Sequence, residues 1–317
     1  MPALLFEAAI HINLHQFRLQ FKTISFLASF GLLISIFVIG IGVSVLVNIP
    51  LSVALLFGAL ISATDPIAVL SLFKTLGAPK RLALIADGES MFNDATGVIA
   101  FRVISIFVLT NIAFSTQQVL SGIFDFVYVF FGSLILGAIL GYGVSQLLSY
   151  IRNERILVNT ITIALAIGSF AIAEHYFHLS GVITTVIAGI IVGNLGRKKL
   201  PIQVLNFIEE FWEVVGFVAV SLVFFFASYN LDFKVFFGNL HNIGYVILVV
   251  LIGRSISVYL SSFITNKSSL FKNEPSIPLA WQHILNWGGI RGVIPLVLVY
   301  TLPDNFIYKE EILAYTL

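Results

Sequence analysis

Long apolar segments run through almost the whole chain and alternate with short polar loops. A helix needs about 20 mainly apolar residues to cross the hydrocarbon core of a bilayer. By this measure the pattern predicts nine spans, near residues 24–47, 51–73, 82–109, 121–149, 157–176, 180–196, 205–228, 240–265 and 276–302. We therefore predict an all-α polytopic membrane protein.

Two shorter apolar segments, 1–12 and 311–317, flank these spans. As a helix, the first would extend only about 18 Å, against about 30 Å of hydrocarbon. We predict a single transmembrane transporter domain over residues 1–317 with no separate soluble domain. We also expect both flanking segments to be partial, so that the sequence is an incomplete version of a larger unit.

The composition also indicates a membrane protein, and it excludes several kinds of functional site. The chain is 58% hydrophobic and only 10% charged, whereas soluble domains carry about 25% charged residues. It has no cysteine, which excludes disulfides, thiolate metal sites and cysteine nucleophiles. Its six histidines lack metal-binding spacing, and no basic run indicates nucleic-acid binding. We therefore expect no cofactor and no nucleic-acid partner.

The charges of the loops predict the orientation of the chain in the membrane. Loops with several Lys or Arg alternate with loops that have none or one. Positively charged loops face the cytoplasm in most membrane proteins. The cytoplasmic loops are therefore predicted at 74–81, 152–155, 197–199 and 266–275.

Polar residues interrupt the second span at Ser62-Ala63-Thr64-Asp65-Pro66. Pro66 has no N–H to donate and disfavours a helical conformation at Asp65, so we expect the helix to break here. Unwound backbone at membrane depth is tolerated where it is buried in protein or lines water. Asp65 can equally act as a simple N-cap with Pro66 at the first helical position. Both interpretations place the start of a half-helix inside the membrane.

Acidic residues open the third span, which is otherwise apolar. Helical spacing puts Asp87, Ser90 and Asp94 on one face, with Glu89 and Asn93 on a neighbouring face. Removal of a carboxylate from water favours its protonated form, so Asp94 can bind a proton or a cation but not both comfortably. Asp87 lies nearer the end of the span, and for it we favour a solvated position at the membrane surface.

Two arginines also fall inside predicted spans. Arg254 lies in an apolar run, and Arg291 lies in Trp287-Gly288-Gly289-Ile290-Arg291-Gly292, where glycines such as Gly289 and Gly292 indicate a second broken helix. A buried arginine needs a carboxylate or carbonyl partner. We expect a structural ion pair between Glu89 and Arg254.

The sequence leaves the roles of Glu7 and Arg102 open. Glu7 is either a contributor to the site from a third helix or an interfacial residue. Arg102 follows Asp94 by two helical turns on roughly the same face, so it either acts on Asp94 or pairs elsewhere.

The chain resembles the NhaP-type sodium/proton antiporters, the branch of cation/proton antiporters that also contains the animal sodium/proton exchangers. Four motifs in family order carry the resemblance, and Phe211-Trp212-Glu213 is a weaker fifth match. The four are Phe6-Glu7-Ala8-Ala9, Ala63-Thr64-Asp65-Pro66, Gly88-Glu89-Ser90-x-x-Asn93-Asp94 and Trp287-Gly288-Gly289-Ile290-Arg291-Gly292.

The resemblance implies an inverted-repeat fold in which the spans near 51–73 and 276–302 are broken and cross each other. It implies that Na+ or Li+ and the proton bind alternately to Asp94, with Ser90, Thr64 and Asp65 completing or orienting the site. Asn93, where electrogenic relatives carry an Asp, implies electroneutral one-for-one exchange. It further implies a homodimer of the complete protein, and we expect it in a bacterial inner (plasma) membrane.

Three alternatives differ from Na+/H+ exchange. K+/H+ exchange uses the same types of ligand, and an inactive fragment of such a transporter would keep the same motifs. An intramembrane aspartyl protease needs two close carboxylates, but neither its Gly-x-Gly-Asp signature nor a Gly-x-Ser-x-Gly element of a serine protease occurs. We therefore predict a transporter and not an enzyme.

Overall fold

A computed structural model describes residues 2–12, 20–65, 67–110, 116–229, 233–272 and 274–317. All regular elements in these ranges are helical, as predicted. The α-helices are α1 Pro2–Ile10, α2 Phe21–Phe26, α3 Leu32–Val47, α4 Leu51–Ser62, α5 Ile67–Leu76, α6 Lys80–Thr110, α7 Thr116–Tyr150, α8 Arg155–Tyr176, α9 Gly181–Ile191, α10 Ile202–Tyr229, α11 Phe233–Gly238, α12 Leu240–Lys267, α13 Leu279–Trp287, α14 Ile294–Tyr300 and α15 Lys309–Thr316.

Five of the described helical segments are long and apolar enough to cross a membrane. They are Phe21–Val47, Lys80–Leu109, Val127–Tyr150, Arg155–Tyr176 and Leu240–Lys267. Two other predicted spans, 51–73 and 276–302, are divided into shorter helices, as the sequence predicts. The count of nine spans and the inverted relation of the two halves stay predictions.

The chain forms two compact units. The first contains residues 1–15 and 114–224, and the second contains 16–113 and 225–317. In the first unit, glycines let α7 approach α9 closely: a Cβ added at Gly137 would lie only 2.6 Å from the Thr184 carbonyl oxygen.

Trp212 lies at the centre of the first unit and is almost completely buried. Its indole N–H donates to the hydroxyl of Thr162 at 3.1 Å, so the polar atom of the ring is satisfied inside the core. The ring also packs against Phe6, with 4.7 Å between centroids. The motifs around Phe6 and Trp212, which are distant in sequence, therefore form one core.

The second unit contains both helix interruptions. The chain leaves α4 at Ser62 and is extended at Ala63, with φ −62° and ψ 142°. Helix α5 begins at Ile67. Pro66, to which the break was attributed, lies outside the described residues. The second interruption separates α13 from α14.

A π-helical turn at Leu27–Gly31 joins α2 to α3, and hydropathy alone gives no sign of it. Such turns change the regular backbone hydrogen-bond pattern and are frequent at functional sites. Here the Thr96 hydroxyl of α6 donates to the Ala28 carbonyl at 3.0 Å, and the Ser257 hydroxyl of α12 donates to the Gly31 carbonyl at 2.6 Å. Helices α6 and α12 therefore both donate hydrogen bonds to this turn.

Candidate functional site

The two helix interruptions of the second unit contact each other directly. The backbone N–H of Asp65 donates to the Ile290 carbonyl at 2.7 Å. The Arg291 guanidinium donates to the carbonyls of Ser62 and Ala63, at 3.1 and 3.3 Å. Each interruption therefore satisfies backbone groups that the other leaves without an intrahelical partner.

Helix α6 supplies the next contacts, all with Thr64, which is only 4% exposed. The Asn93 amide donates to the Thr64 hydroxyl at 2.8 Å, and the Thr64 N–H donates to the Asn93 side-chain oxygen at 3.3 Å. The Ser90 hydroxyl donates to the Thr64 carbonyl. Ser90 and Asn93, which helical spacing assigned to different faces, thus hold the same residue.

Asp94 is half-buried beside this arrangement. No hydrogen bond from any residue that the structure describes reaches its carboxylate, and the negative charge of Asp65 acts on it. Carboxylate, hydroxyl and carbonyl oxygens are the ligands that hard cations prefer. Asp94 therefore offers carboxyl oxygens to which none of the described residues donates a hydrogen bond.

Glu89 and Arg254 form a buried ion pair, as the sequence predicts. The two guanidinium nitrogens lie 2.5 and 3.2 Å from the two carboxylate oxygens, and both side chains are less than one-tenth exposed. Arg254 also donates to the Leu285 carbonyl at 2.9 Å. The pair joins α6, α12 and the end of α13.

An arginine therefore lies at the carboxyl end of each half-helix that enters the crossing. Arg291 binds the terminal carbonyls of α4, and Arg254 binds a carbonyl in the last turn of α13. The carboxyl end of a helix carries a partial negative charge, which a cation stabilises. The positive charges offset this partial charge at both ends.

Glycines allow the second interruption to come this close. A Cβ at Gly292 would lie 2.6 Å from the Asp65 Cβ, and a Cβ at Gly289 would lie 2.5 Å from the Arg254 Nε. Neither position has space for a side chain unless Asp65 or Arg254 moves. The glycines predicted to mark a broken helix therefore also set the distance between the interruptions.

Glu7 lies in the first unit, where its carboxylate is 3.7 Å from the His11 Nε2. A Cβ added at Gly216 would lie 3.3 Å from the Glu7 Cγ. A contribution of Glu7 to the ion site stays a prediction. Arg102 is half-buried and takes part in an interaction, which leaves its role as open as in the sequence.

The whole chain, residues 1–317, matches the family described as "Sodium/hydrogen exchanger, transmembrane". The chain belongs to the sodium/hydrogen exchanger family. Membership in this family of membrane-spanning proteins makes the protein an integral membrane protein, and it confirms the resemblance that the motifs indicated.

Relatives in this family carry antiporter names. The chain is 35% identical to the Na+/H+ antiporter NhaH of Halobacillus dabanensis, over 100% of this chain and 76% of that protein. It is 36% identical to the Na+/H+ antiporter NhaG of Bacillus atrophaeus, over 99% of this chain but only 58% of that protein. It is 35% identical to the Na+/H+ antiporter NhaP of Pseudomonas aeruginosa, over 96% of this chain and 72% of that protein.

A solved structure confirms the fold class. The sodium proton antiporter MjNhaP1 of Methanocaldococcus jannaschii superimposes with a TM-score of 0.82 over 99% of this chain and 77% of that chain. Sequence identity is 20%, so the likeness concerns the fold.

Several groups of the site were not found in the sequence, because they are backbone carbonyls. The oxygens of Ser62, Ala63, Leu285 and Ile290 each accept a hydrogen bond at the crossing. Arg254 and Arg291 indicated that acceptors such as the first three must exist, since an arginine inside a membrane needs one. The Ile290 carbonyl accepts from a backbone N–H, that of Asp65, and no residue type indicates it. Sequence shows that an acceptor is needed but not which one.

Replacement of Glu89 by Gln is predicted to destabilise the protein, because it leaves the Arg254 guanidinium buried without its counter-charge. Loss of one partner of a buried pair costs about 3–5 kcal/mol. The melting temperature in detergent should fall by several degrees, and the double variant Glu89→Gln/Arg254→Gln should recover part of the loss.

Asp304→Asn is the control, since Asp304 pairs with Lys309 in an exposed loop and should melt close to the wild type. A Glu89→Gln protein that melts at the wild-type temperature would show that the buried pair is not a main support of the fold.

Proposed function

We propose that the protein is a secondary active transporter that exchanges Na+ for H+ across a membrane. The observation that carries the proposal is the meeting of two interrupted helices beside Asp94, whose carboxylate has no hydrogen bond from the described residues. Transporters place ion sites at such interruptions, near the bilayer midplane. The antiporter names of the relatives support the same function.

Asp94 binds the cation and the proton alternately in this mechanism. Ser90, Thr64 and Asp65 complete or orient the site, with Asn93 holding Thr64 in place. A cation that enters displaces the proton, because both require the same carboxylate. Alternating access then needs Asp94 to be occupied by one or the other before the site can change sides.

The formal charges at the site support one-for-one exchange. Glu89 and Arg254 cancel as an ion pair, and the single charges of Asp65 and Arg291 sum to zero. One negative charge remains, on Asp94. One Na+, one Li+ or one proton neutralises it, so each half of the cycle moves the same charge and the exchange is electroneutral.

The proposal extends to the placement of the protein. Loops 74–81, 152–155, 197–199 and 266–275 face the cytoplasm of a bacterial cell, on the strength of their positive charges. The membrane is the inner (plasma) membrane, the complete protein is a homodimer, and the transporter uses no cofactor and catalyses no chemical reaction.

The variant Asp94→Asn should abolish cation-induced proton flux while leaving the fold intact, because the amide binds neither a proton nor a cation as a carboxylate does. The measurement is a pH-sensitive dye inside proteoliposomes after addition of Na+. Asp304→Asn serves as the matched control and should exchange at the wild-type rate, since its side chain is fully exposed in a loop.

Equal melting temperatures of wild type and Asp94→Asn would establish that the variant is folded. Exchange by a folded Asp94→Asn protein at the wild-type rate would contradict the assignment of Asp94.

Electroneutrality is tested by an imposed membrane potential. Proteoliposomes clamped with K+ and valinomycin at 0 and at about 100 mV should show the same Na+/H+ exchange rate, because no net charge crosses. A charge of one per cycle would add about 2.3 kcal/mol per 100 mV to the driving force. A rate that depends strongly on the potential would therefore contradict one-for-one exchange.

The principal alternative is K+/H+ exchange, since the same oxygen ligands suit both ions. Side-by-side addition of Na+, Li+ and K+ to the same proteoliposomes distinguishes them. We expect Na+ and Li+ to drive proton flux and K+ to drive at least tenfold less. Flux with K+ alone would favour the alternative, and a folded protein with no flux for any ion would favour an inactive unit.

A further inference from the structure

A series of charged and polar contacts connects the end of α1 with α10 in the first unit. His11 directly follows α1, and its Nε2 lies 3.7 Å from a carboxylate oxygen of Glu7. Its Nδ1 lies 3.5 Å from a terminal nitrogen of Arg197, in the segment after α9. Arg197 also forms an ion pair with Glu209 of α10. His11 therefore lies between a carboxylate and a guanidinium.

The donors and acceptors in this arrangement require a neutral His11. A guanidinium has N–H donors and no acceptor, so the Nδ1 beside Arg197 must accept and carries no proton. The proton of the neutral ring is then on Nε2, the nitrogen next to Glu7. In a protonated ring both nitrogens are donors, and the N–H at Nδ1 would face the N–H groups of Arg197. The contact with Arg197 is therefore compatible only with the neutral ring.

Acidic groups of α10 face the same end of α1. Glu213 lies one turn after Glu209 and one turn before Gly216, so the three residues share one face of the helix. This face is directed at α1, because a Cβ added at Gly216 would lie 3.3 Å from the Glu7 Cγ. A protonated His11 therefore meets carboxylates from its own helix and from α10.

The other elements around α1 direct their cations elsewhere. Helix α9 contains no ionisable residue. On α8, the Arg155 guanidinium lies over the ring of Phe207, 5.8 Å from its centroid. The Lys199 ammonium donates to the Gln146 side-chain oxygen of α7 at 2.6 Å. Arg197 is thus the cation whose contact with His11 a protonation changes.

We propose that His11 is a pH-sensitive switch, which fastens residues 197–199 to α1 when it is neutral and releases them when it is protonated. Protonation replaces the contact with Arg197 by an ion pair with the carboxylate on the other side of the ring. Asn194 provides a second link that does not titrate, since its amide donates to the Ile12 carbonyl at 2.7 Å. The release is therefore limited to the turn that follows Asn194.

The switch acts in the physiological range, because an unperturbed histidine titrates near about pH 6.5. The first unit thereby responds to pH without any use of the candidate ion site, which belongs to the second unit. This response goes beyond the proposed exchange and does not depend on it.

Electron paramagnetic resonance of a spin label at position 198 tests the switch on the full chain in proteoliposomes. The chain has no cysteine, so Lys198→Cys carries the only label. The mobile fraction of its spectrum should rise at least threefold from about pH 8 to about pH 5.5, with a midpoint between about pH 6 and 7. A label at Ile156, an exposed residue of α8, should show no such change.

Three substitutions in the labelled protein identify the titrating group. His11→Gln removes the titration, so its spectrum should not depend on pH. His11→Lys keeps a positive charge throughout, so its label should be mobile at both ends of the range. His178→Gln removes another exposed histidine of the first unit and should titrate like the parent protein.

A parent protein whose spectrum does not change with pH would overturn the proposal. So would a titration that persists in His11→Gln, or an immobile label in His11→Lys. The spectra need no ion gradient and measure no transport. Absence of the transition would therefore leave the proposed exchange untouched, and a protein without flux that shows the transition would still contain the switch.

Discussion

Backbone that leaves a helix inside a membrane must find its hydrogen-bond partners within the protein, and the second unit is organised by this constraint. Lipid offers no donors or acceptors, and each unsatisfied group costs several kcal/mol. Thr64 and Asp65 are unwound, and both have partners: Asn93 and Ser90 for the first, the Ile290 carbonyl for the second. The polar residues of α6 are therefore supports of the interruption as well as candidates for ion binding.

The same constraint explains the positions of the buried charges. Each half-helix that ends at the crossing presents carbonyls without intrahelical partners. Arg291 and Arg254 meet those carbonyls, and Glu89 balances Arg254. The carboxylate of Asp94 receives no hydrogen bond from the described residues, which is why the proposed exchange assigns the cation and the proton to it.

The residues themselves predicted the two interruptions and the Glu89–Arg254 pair correctly. Charged residues and helix-breaking residues are costly inside a membrane, so their presence there indicates a specific structural role. A proline after an aspartate and a run of glycines disfavour a continuous helix, and an intramembrane arginine requires a buried partner. The π-helical turn at Leu27–Gly31 was missed, since its residues are ordinary helix and membrane residues. Its position depends on Thr96 and Ser257, which belong to other helices.

The sequence alone determined that the chain is a helical membrane protein. It further determined that two of the apolar segments, 51–73 and 276–302, are interrupted. It also determined which side chains are too polar to face lipid. Hydropathy and side-chain chemistry depend on the residue type alone, so they can be assigned without knowledge of the fold. Only the tertiary structure decided that the two interruptions touch, that Ser90 and Asn93 both hold Thr64, and which carbonyls the arginines bind. Those contacts join residues up to 229 positions apart, and all except the hydrogen bond between the Asn93 and Thr64 side chains involve a backbone N–H or carbonyl, which the residue type does not reveal.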